Sequence, residues 1–370
     1  MLKPSRALYL IFVIHTVGLA ESAPAVHQPT LTPQQSGTTQ RLIAVSPVNS
    51  RVVWAAGAGG TYVVTSDGGM HWKAAVVPGA ENLEFRDVQG VSERVAYLMS
   101  IGTNPTDFRI YKTLDGGMHW TVEFENHRAK AFYDCFAFWT PQRGIAHSDS
   151  ANGVFPDIRT LDGIAWRSIA DHMPPALPGE ASFAASGTCV TTQGESNAWI
   201  TTGGSTVARI LATRDGGDTW NAYDTPLVSS PTAGGVTVAF RNPSNGMVAG
   251  GDLASNDSAD AATSSDGGKT WTLTTKPPTR GTIFCLSYVQ APNQDGEARN
   301  HDFDKTVVVT AETAPNFDSG SAAWTPDEGN NWFALRKVSG YWAVAFASPE
   351  AGWFVGVNGQ ILKISFRPKS

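Results

Sequence analysis

The residues of this chain that most invite a chemical role are six aspartates, each at the same place in a short repeated phrase. The phrase is Ser/Thr-x-Asp-x-Gly-x-x-Trp, and we call its copies boxes 1 to 6. Six carboxylates on one scaffold could serve as general acids and bases or as metal ligands. The box aspartates are Asp67, Asp115, Asp162, Asp215, Asp266 and Asp327.

The repetition favours a structural role for these aspartates. The phrase recurs about every 50 residues, and one repeated turn explains all six copies at once. In five boxes a Gly follows the Asp by two residues and a Trp follows it by five, whereas box 3 is one residue shorter. A short carboxylate can close a tight turn, the Gly permits a positive φ, and the Trp covers the turn. We therefore interpret each box as the staple of a β-hairpin.

Short apolar strands surround the boxes and define a repeating unit. In the first unit an alternating strand (residues 42–46) precedes a strand that ends in glycine (residues 52–57). A third strand (residues 62–64) leads into the box, and a fourth (residues 73–77) follows its Trp. Four short antiparallel strands per unit of this length are typical of a β-propeller blade. Helical periodicity is absent, so the sequence predicts an all-β protein.

The two ends of the chain decide the number of blades. Residues 341–364 supply three strands of a seventh unit that has no box, and residues 30–39 resemble a fourth strand that stands alone. Joining these two segments completes a seventh blade and closes the ring, which leaves few open strand edges. The sequence therefore predicts a single seven-bladed propeller of four-stranded antiparallel blades over residues 30–370. A six-bladed ring is the alternative.

The N-terminal residues indicate export. Lys3 and Arg6 precede an apolar run over residues 7–19, and small residues follow it. This pattern predicts a signal peptide over residues 1–20 and a short linker over residues 21–29, hence a secreted or periplasmic protein. A retained N-terminal anchor is the alternative. The net charge of −6 argues against nucleic acid and anionic membranes as partners. We expect a monomer that does not insert into a membrane after signal cleavage.

The three cysteines and the acidic loops carry no metal-binding pattern. Cys135, Cys189 and Cys285 lie far apart in apolar stretches, which predicts buried thiols, with a Cys135–Cys189 disulfide as the alternative. No zinc, nucleotide, haem or flavin motif is present, so we expect neither a metal nor a cofactor. One acidic loop lacks the spacing of a calcium-binding loop. Its residues are Asp252, Asn256, Asp257 and Asp260.

Boxes of this form are known as Asp-boxes or BNR repeats. Together with the GWFVG strand (residues 352–356) and the QQSGT segment (residues 34–38), they make the chain resemble the photosystem II stability/assembly factor family. The resemblance covers nearly the whole chain after the predicted signal peptide and implies a non-catalytic scaffold that binds a protein. Some bacterial relatives carry the label oxidoreductase, which no motif in this sequence supports. WD40- and YVTN-type propellers share the general architecture.

Sialidases also contain Asp-boxes, which makes an exo-sialidase-like glycoside hydrolase the alternative function. Those enzymes grip a carboxylate with arginines, and the nearest match to their first arginine phrase is Phe108–Tyr111, which contains Arg109. The match lacks the proline of the phrase, and Arg209 holds the same third-strand position in a later unit. We therefore interpret the Phe108–Tyr111 phrase as an ordinary third strand of a blade and not as a sialidase motif. In the enzyme alternative, Glu180, Asp134 or Asp149 would supply the acid/base pair.

The remaining charged residues point to a binding surface. Loops on the face opposite the boxes surround the mouth of the central channel, and loops on a rigid scaffold often carry function. We predict that a protein or an extended polymer such as a glycan binds there, with arginines gripping carboxylates or other acceptors. The predicted binding residues are Arg86, Arg109, Asp134, Asp149, Glu180 and Arg209.

Overall fold

The computed structural model describes residues 28–289 and 303–366, which form one closed ring of seven antiparallel sheets. Each sheet has four strands, and we number the sheets as blades 1 to 7 in chain order. The prediction of a seven-bladed propeller is confirmed, and the six-bladed alternative is wrong. The predicted signal peptide and most of the linker, residues 1–27, lie outside the described residues. No helix among the described residues is long and apolar enough to span a bilayer.

Blades 1 to 6 each consist of four consecutive strands that follow one another from the channel outward. The strands of blades 1 to 3 are β2 (Leu42–Pro47), β3 (Val53–Gly57), β4 (Thr61–Thr65), β5 (Lys73–Val76), β6 (Glu84–Gly90), β7 (Ala96–Ile101), β8 (Arg109–Thr113), β9 (Thr121–Glu125), β10 (Tyr133–Thr140), β11 (Arg143–Ser148), β12 (Ile158–Thr160) and β13 (Trp166–Ser168). Those of blades 4 to 6 are β14 (Val190–Gln193), β15 (Asn197–Thr201), β16 (Arg209–Thr213), β17 (Asn221–Asp224), β18 (Ala233–Phe240), β19 (Gly246–Asp252), β20 (Asp260–Ser264), β21 (Thr272–Leu273), β22 (Thr282–Tyr288), β23 (Val307–Glu312), β24 (Ser321–Thr325) and β25 (Phe333–Leu335).

Blade 7 joins the two ends of the chain. It contains β26 (Tyr341–Ser348), β27 (Ala351–Gly356), β28 (Gln360–Ser365) and, outermost, the N-terminal strand β1 (Thr30–Gln35). Strand β1 pairs antiparallel with β28 along its whole length. This pairing closes the ring, because the first strand of the chain completes the four-stranded sheet formed by its last three strands.

The core lies between neighbouring blades, where large aromatic side chains of the second strands are buried. Trp54, Trp199 and Trp353 occupy β3, β15 and β27 and have no exposed surface. The Trp199 ring stacks on Phe240 of blade 5 with 3.6 Å between the ring centroids. Since each of these rings packs against the next blade, the hydrophobic effect stabilises the ring as a whole.

The box turns use their aspartates internally. In box 2, Thr113 Oγ1 accepts a hydrogen bond from the Gly117 N–H at 2.9 Å, and Asp115 Oδ1 accepts one from the His119 N–H at 2.9 Å. Gly117 has φ +88°, and the second Gly of boxes 1, 4, 5 and 6 has φ between +86° and +89°. The shorter box 3 differs, since Asp162 accepts hydrogen bonds from Ile164 and Ala165.

Each box is also held by the preceding blade. Tyr62 of blade 1 donates its hydroxyl proton to Gly117 O at 2.7 Å, and Trp199 of blade 4 donates its indole N–H to Gly267 O at 2.8 Å. The same contact recurs at all six boxes, so these turns connect neighbouring blades. The donor–glycine pairs at the other four are Gln34–Gly68, Tyr97–Gly163, Arg159–Gly216 and Thr275–Gly329.

Two of the three cysteines form a disulfide, whereas buried thiols were predicted. Cys135 of β10 and Cys189, which precedes β14, form a disulfide between blades 3 and 4, with 6.0 Å between their Cα atoms. The prediction of three buried thiols is therefore wrong for this pair, because the two residues occupy facing positions on adjacent innermost strands. Cys285 is a buried free thiol, and its sulfur accepts a hydrogen bond from the Val344 N–H of blade 7.

Candidate binding site at the channel mouth

The innermost strands share an irregularity on the face opposite the boxes. In six blades the innermost strand has a β-bulge near its first residue, where one extra residue interrupts the pairing with the second strand. A bulge re-aims the side chain that it carries, so six side chains are redirected at the channel mouth. The bulged residues are Ile43, Arg86, Asp134, Val236, Phe284 and Trp342.

Blade 4 has no such bulge, and an irregular segment over residues 182–188 precedes its first strand. We call these residues the channel segment. Ser186 Oγ donates to Phe284 O of blade 6 at 2.7 Å, and Thr188 Oγ1 donates to Thr237 Oγ1 of blade 5 at 2.8 Å. Because the segment starts in blade 4 and reaches blade 6, it spans the channel beneath its mouth.

A cavity of about 230 Å³ lies at this point. Its volume falls below the range of about 300–1,000 Å³ typical of small-molecule sites, so it suits a single large side chain. One half is charged, the other half is apolar, and residues 182–185 of the channel segment complete the lining. The charged half consists of Arg86, Asp134 and Asp149, and the apolar half of Phe132, Phe183, Leu253, Phe284, Phe317 and Trp342.

The apolar half is a rigid aromatic wall. Phe284 meets Trp342 edge-on with 5.1 Å between ring centroids, and Phe317 lies 5.3 Å from Phe284. The Trp342 indole N–H donates to Phe317 O at 2.8 Å, and the Arg41 guanidinium lies 4.5 Å from the centre of the Trp342 ring. These contacts fix the aromatic rings before any ligand arrives, which lowers the entropic cost of binding.

The charged half contains two interacting carboxyl groups. Burial raises the pKa of Asp134 well above its usual range, and the neighbouring Asp149 carboxylate raises this pKa further. Burial also raises the pKa of Asp149, although hydrogen bonds from Asp134 and Ser182 oppose that shift. Among the described residues, no N–H or O–H group donates to Asp134 Oδ2, which is fully buried. The pair therefore retains a proton, which Asp134 donates to Asp149, and its remaining oxygen lone pairs can accept hydrogen bonds from a ligand.

Arg86 connects this pair to the channel segment. Its Nε lies 2.6 Å from Glu84 Oε1, and its Nη1 donates to Ala184 O. Glu84 also binds Arg41 Nη2 at 3.1 Å, which gives a chain of alternating charges beside the Trp342 ring. Burial lowers the pKa of Arg86, and the attraction of Glu84 opposes that shift. Arg86 thus holds the channel segment in place and supplies a positive charge opposite Asp134.

Comparison with known proteins identifies solved structures that share this fold. No protein-family model matches the sequence, and no curated protein sequence matches it. The structure described as YCF48 bound to D1 peptide is similar at 14% identity with a TM-score of 0.59, over 94% of this chain and 98% of that one. YCF48 from Cyanidioschyzon merolae is similar at 15% identity with a TM-score of 0.60, over 90% of this chain and 98% of the other.

This chain has the fold of the YCF48 propellers. The WD40 β-propeller domain of Doa1 is also similar, at 12% identity with a TM-score of 0.54, over 91% of this chain and 98% of the domain. At such low identities the likeness concerns the fold alone. YCF48 is a photosystem II assembly factor, which agrees with the resemblance derived from the boxes at the level of architecture.

The structure gathers three of the six predicted binding residues. Arg86, Asp134 and Asp149 line the cavity, whereas the other three lie away from it. Arg109 begins a third strand, where its Nε lies 2.8 Å from Glu125 Oε2.

Glu180 and Arg209 bind each other. Arg209 Nε donates to Glu180 Oε1 at 2.8 Å, and its Nη2 donates to Pro175 O at 3.0 Å. Glu180 also accepts a hydrogen bond from the Thr202 hydroxyl at 2.7 Å and is 1% exposed. The pair therefore fixes the connection before blade 4 and is not presented to a ligand at the cavity.

The sequence analysis missed the aromatic half of the site. Phe284 and Trp342 lie in apolar stretches of the sequence and are absent from the predicted binding residues. When the innermost strands of four blades are aligned, the equivalent positions form one column. This column contains two charged and two aromatic residues, Arg86, Asp134, Phe284 and Trp342. A column that mixes charged and aromatic residues inside an otherwise apolar strand is the signal that could have identified them.

Proposed function

We propose that this protein is an exported, non-catalytic scaffold that binds a segment of a partner protein at the channel mouth. The observation that carries the proposal is that four of the six β-bulges place their side chains in one cavity with a charged and an aromatic half. A repeated backbone irregularity that delivers four different side chains to one cavity is typical of a binding site.

The cavity matches the chemistry of a peptide. An apolar side chain fits against Phe317, Leu253 and Phe183, where it loses contact with water. The Asp134–Asp149 pair can accept a hydrogen bond from a backbone N–H, because its one proton is shared between the two carboxyl groups and its remaining oxygen lone pairs are acceptors. The rest of the ligand would extend over the surrounding loops, since the cavity holds only one large side chain.

Two further observations support the proposal. A solved propeller of the same fold, YCF48, is described with a bound D1 peptide. The Cys135–Cys189 disulfide is typical of an oxidising compartment, which favours the export predicted from residues 1–20.

The geometry disfavours the glycoside hydrolase alternative. Retaining and inverting glycosidases hold their two carboxyl groups about 5 Å or more apart. Here Asp134 and Asp149 are in direct hydrogen-bonding contact, and Glu180 forms an ion pair with Arg209. Of these three residues only Asp134 and Asp149 line the cavity, and they share one proton instead of acting as a separate acid and base.

The test selects peptides from a displayed heptapeptide library against the protein that starts at residue 21. We expect selected peptides to bind the wild-type protein and to bind Phe317→Ala and Asp134→Asn at least about 10-fold more weakly, as is usual for central contacts. Arg109→Ala is the matched control, because Arg109 lies on the same face outside the cavity. The Arg109→Ala variant should bind the selected peptides with the same affinity as the wild-type protein.

Two results would overturn the proposal. Binding that is lost in Arg109→Ala but kept in both cavity variants would place the site elsewhere. Hydrolysis of an aryl sialoside that disappears in Asp149→Asn, with the melting temperature unchanged, would make the protein an enzyme.

A further inference from the structure

The cavity at the channel mouth presents aromatic rings that its own contacts leave partly uncovered. Phe132, Phe183 and Phe317 line the cavity and are half-buried. The Phe317 ring lies 5.3 Å from the ring of Phe284, which is buried. Aromatic rings attract one another in edge-to-face and offset geometries, beyond the gain from burying apolar area. An aromatic ring that enters the cavity would therefore gain more than an aliphatic side chain of similar size.

The ionisable groups that line the cavity balance each other in charge. They are Arg86, Asp134 and Asp149. Since the two carboxyl groups share one proton, they carry a single negative charge opposite the positive charge of Arg86. Glu84 and Arg41 form a second balanced pair beside Arg86. A charged ligand group would leave one charge uncompensated in a partly buried site, which is costly. The cavity therefore favours a neutral group.

The carboxyl pair still has free acceptor positions. Asp149 is half-buried and accepts hydrogen bonds from the Ser182 N–H at 2.9 Å and from Asp134. A carboxylate has about four lone-pair positions, so acceptor capacity remains on the side of the cavity. Arg86, in contrast, uses its Nε and Nη1 donors on Glu84 and on Ala184 O. A purely apolar ligand would remove water from the carboxyl pair without replacing its hydrogen bonds, which costs free energy. The ligand group should therefore carry a donor.

Tryptophan and tyrosine side chains satisfy all three conditions. Each has a large ring, no charge at neutral pH and one donor at the ring edge, which is the indole N–H or the phenol O–H. Phenylalanine lacks the donor, whereas lysine, arginine, aspartate and glutamate are charged at neutral pH. Histidine has a smaller ring and is charged below about pH 6.5. The cavity volume of about 230 Å³ suits one such ring.

We infer that the cavity binds a tryptophan or tyrosine side chain of the partner segment, with its ring against Phe183 and Phe317 and its N–H or O–H donated to Asp149. The assignment rests on the proposed binding of a protein segment at this cavity, and it names the residue that anchors the segment. One side chain then makes the apolar and the polar contact at once. Tryptophan and tyrosine are also among the residue types most enriched at the energetic centres of protein interfaces.

The experiment measures how capped amino acids displace a fluorescein-labelled peptide selected from the displayed library. The compounds are N-acetyl-tryptophanamide, N-acetyl-tyrosinamide, N-acetyl-phenylalaninamide and N-acetyl-lysinamide. The protein starts at residue 21 and retains every strand of the ring, since all of them lie within residues 30–365. We expect the tryptophan and tyrosine compounds to bind at least about 10-fold more tightly than the other two, because only they combine a ring with a neutral donor. The selected peptides should share a tryptophan or tyrosine whose replacement by phenylalanine weakens binding to a similar extent.

The Asp149→Leu variant separates the polar contact from the apolar ones. It should abolish the preference for the tryptophan compound over the phenylalanine compound, while the affinity for the phenylalanine compound stays unchanged. Arg109→Ala is the matched control and should keep the wild-type preference, because Arg109 pairs with Glu125 outside the cavity. The order of the four compounds on the wild-type protein tests the inference even if Asp149→Leu does not fold.

Two results are to be distinguished. A phenylalanine or lysine compound that binds as tightly as the tryptophan compound would overturn the inference, yet the proposed function would stand as long as peptide binding still depends on Phe317. An absence of selected peptides, or peptides whose binding is unaffected by Phe317→Ala, would contradict the proposed function and with it the inference.

Discussion

The two faces of the ring use repetition in opposite ways. On the box face, one turn recurs five times in full and once in a shorter form, with a Thr or Ser hydroxyl making the same contact in the full copies, as the Thr113–Gly117 and Ser264–Gly268 bonds show. At the channel mouth, one bulge recurs six times, but each copy carries a different side chain. Where residue type repeats with geometry, the contacts hold neighbouring blades together. Where only the bulge repeats and the residue type varies, the ring brings different chemical groups together at the channel mouth.

The carboxyl groups of the two faces differ in their proton affinity. The backbone N–H and side chain of His119 lower the pKa of Asp115 to about 2, and the Thr270 hydroxyl and N–H, against an opposing effect of burial, lower that of Asp266 to about 2. On the other face, burial raises the pKa of Glu312 to about 7 and that of Asp260 to about 6. Asp115 and Asp266 therefore stabilise the fold in their ionised form, whereas Glu312 and Asp260 are better accommodated when protonated.

The largest expected effect comes from breaking the box face. Trp199→Ala removes a fully buried ring that stacks on Phe240 and holds box 5. We expect the free energy of unfolding to fall by about 3–5 kcal/mol, the usual cost of a large cavity in a core. Denaturant unfolding measures this loss, and peptide affinity should be unchanged for the fraction that remains folded.

Phe317→Ala is the counterpart at the channel mouth. It removes a partly exposed ring from the cavity, so it should weaken peptide binding with a much smaller loss of stability. If Trp199→Ala also abolished binding by folded protein, the two faces would be coupled and the separation of their roles would be wrong.

The sequence predicted the fold well because the fold depends on repetition. The spacing of the boxes, the glycine that adopts positive φ and the unpaired segment before residue 40 together predicted seven closed blades. The site was harder to predict, because the bulged residues stand out only when the innermost strands of several blades are aligned with one another. Arg109 and Arg209 hold equivalent positions, and this equivalence suggested a shared role, yet each binds a different carboxylate nearby. Charge alone could not distinguish an internal ion pair from a ligand contact.

A smaller effect should appear when the carboxyl pair is altered. Asp134→Asn supplies an N–H that donates to Asp149 as the protonated Asp134 does, so the two proteins should be equally stable near pH 3. The pKa of Asp134 is raised in the folded protein, so the wild-type protein loses stability as the pH rises above about 4, the ordinary pKa of an aspartate. The total loss is about 1.4 kcal/mol for each unit by which the folded pKa exceeds the unfolded one. The variant lacks this loss and should be the more stable protein at pH 7.

Urea unfolding at several pH values tests this expectation. Asp87 is buried with a raised pKa in both proteins, so the informative quantity is the difference between their pH profiles. A variant that is less stable than the wild-type protein at pH 7 would show that Asp134 is ionised and favourably paired with Arg86.

The smallest effect belongs to a single box carboxylate and has the opposite sign. Asp115→Asn keeps an oxygen that can accept the His119 N–H but loses the negative charge beside the His119 ring. Since the pKa of Asp115 is lowered to about 2, its charge stabilises the fold above the ordinary pKa of 3.8, and this contribution is lost as the pH falls towards 2. The variant should therefore be slightly less stable than the wild-type protein at pH 7 and equally stable near pH 2. The same urea titrations measure both substitutions, and a stability difference that widened in acid for Asp115→Asn would show that the two faces do not differ in the way their carboxyl groups support the fold.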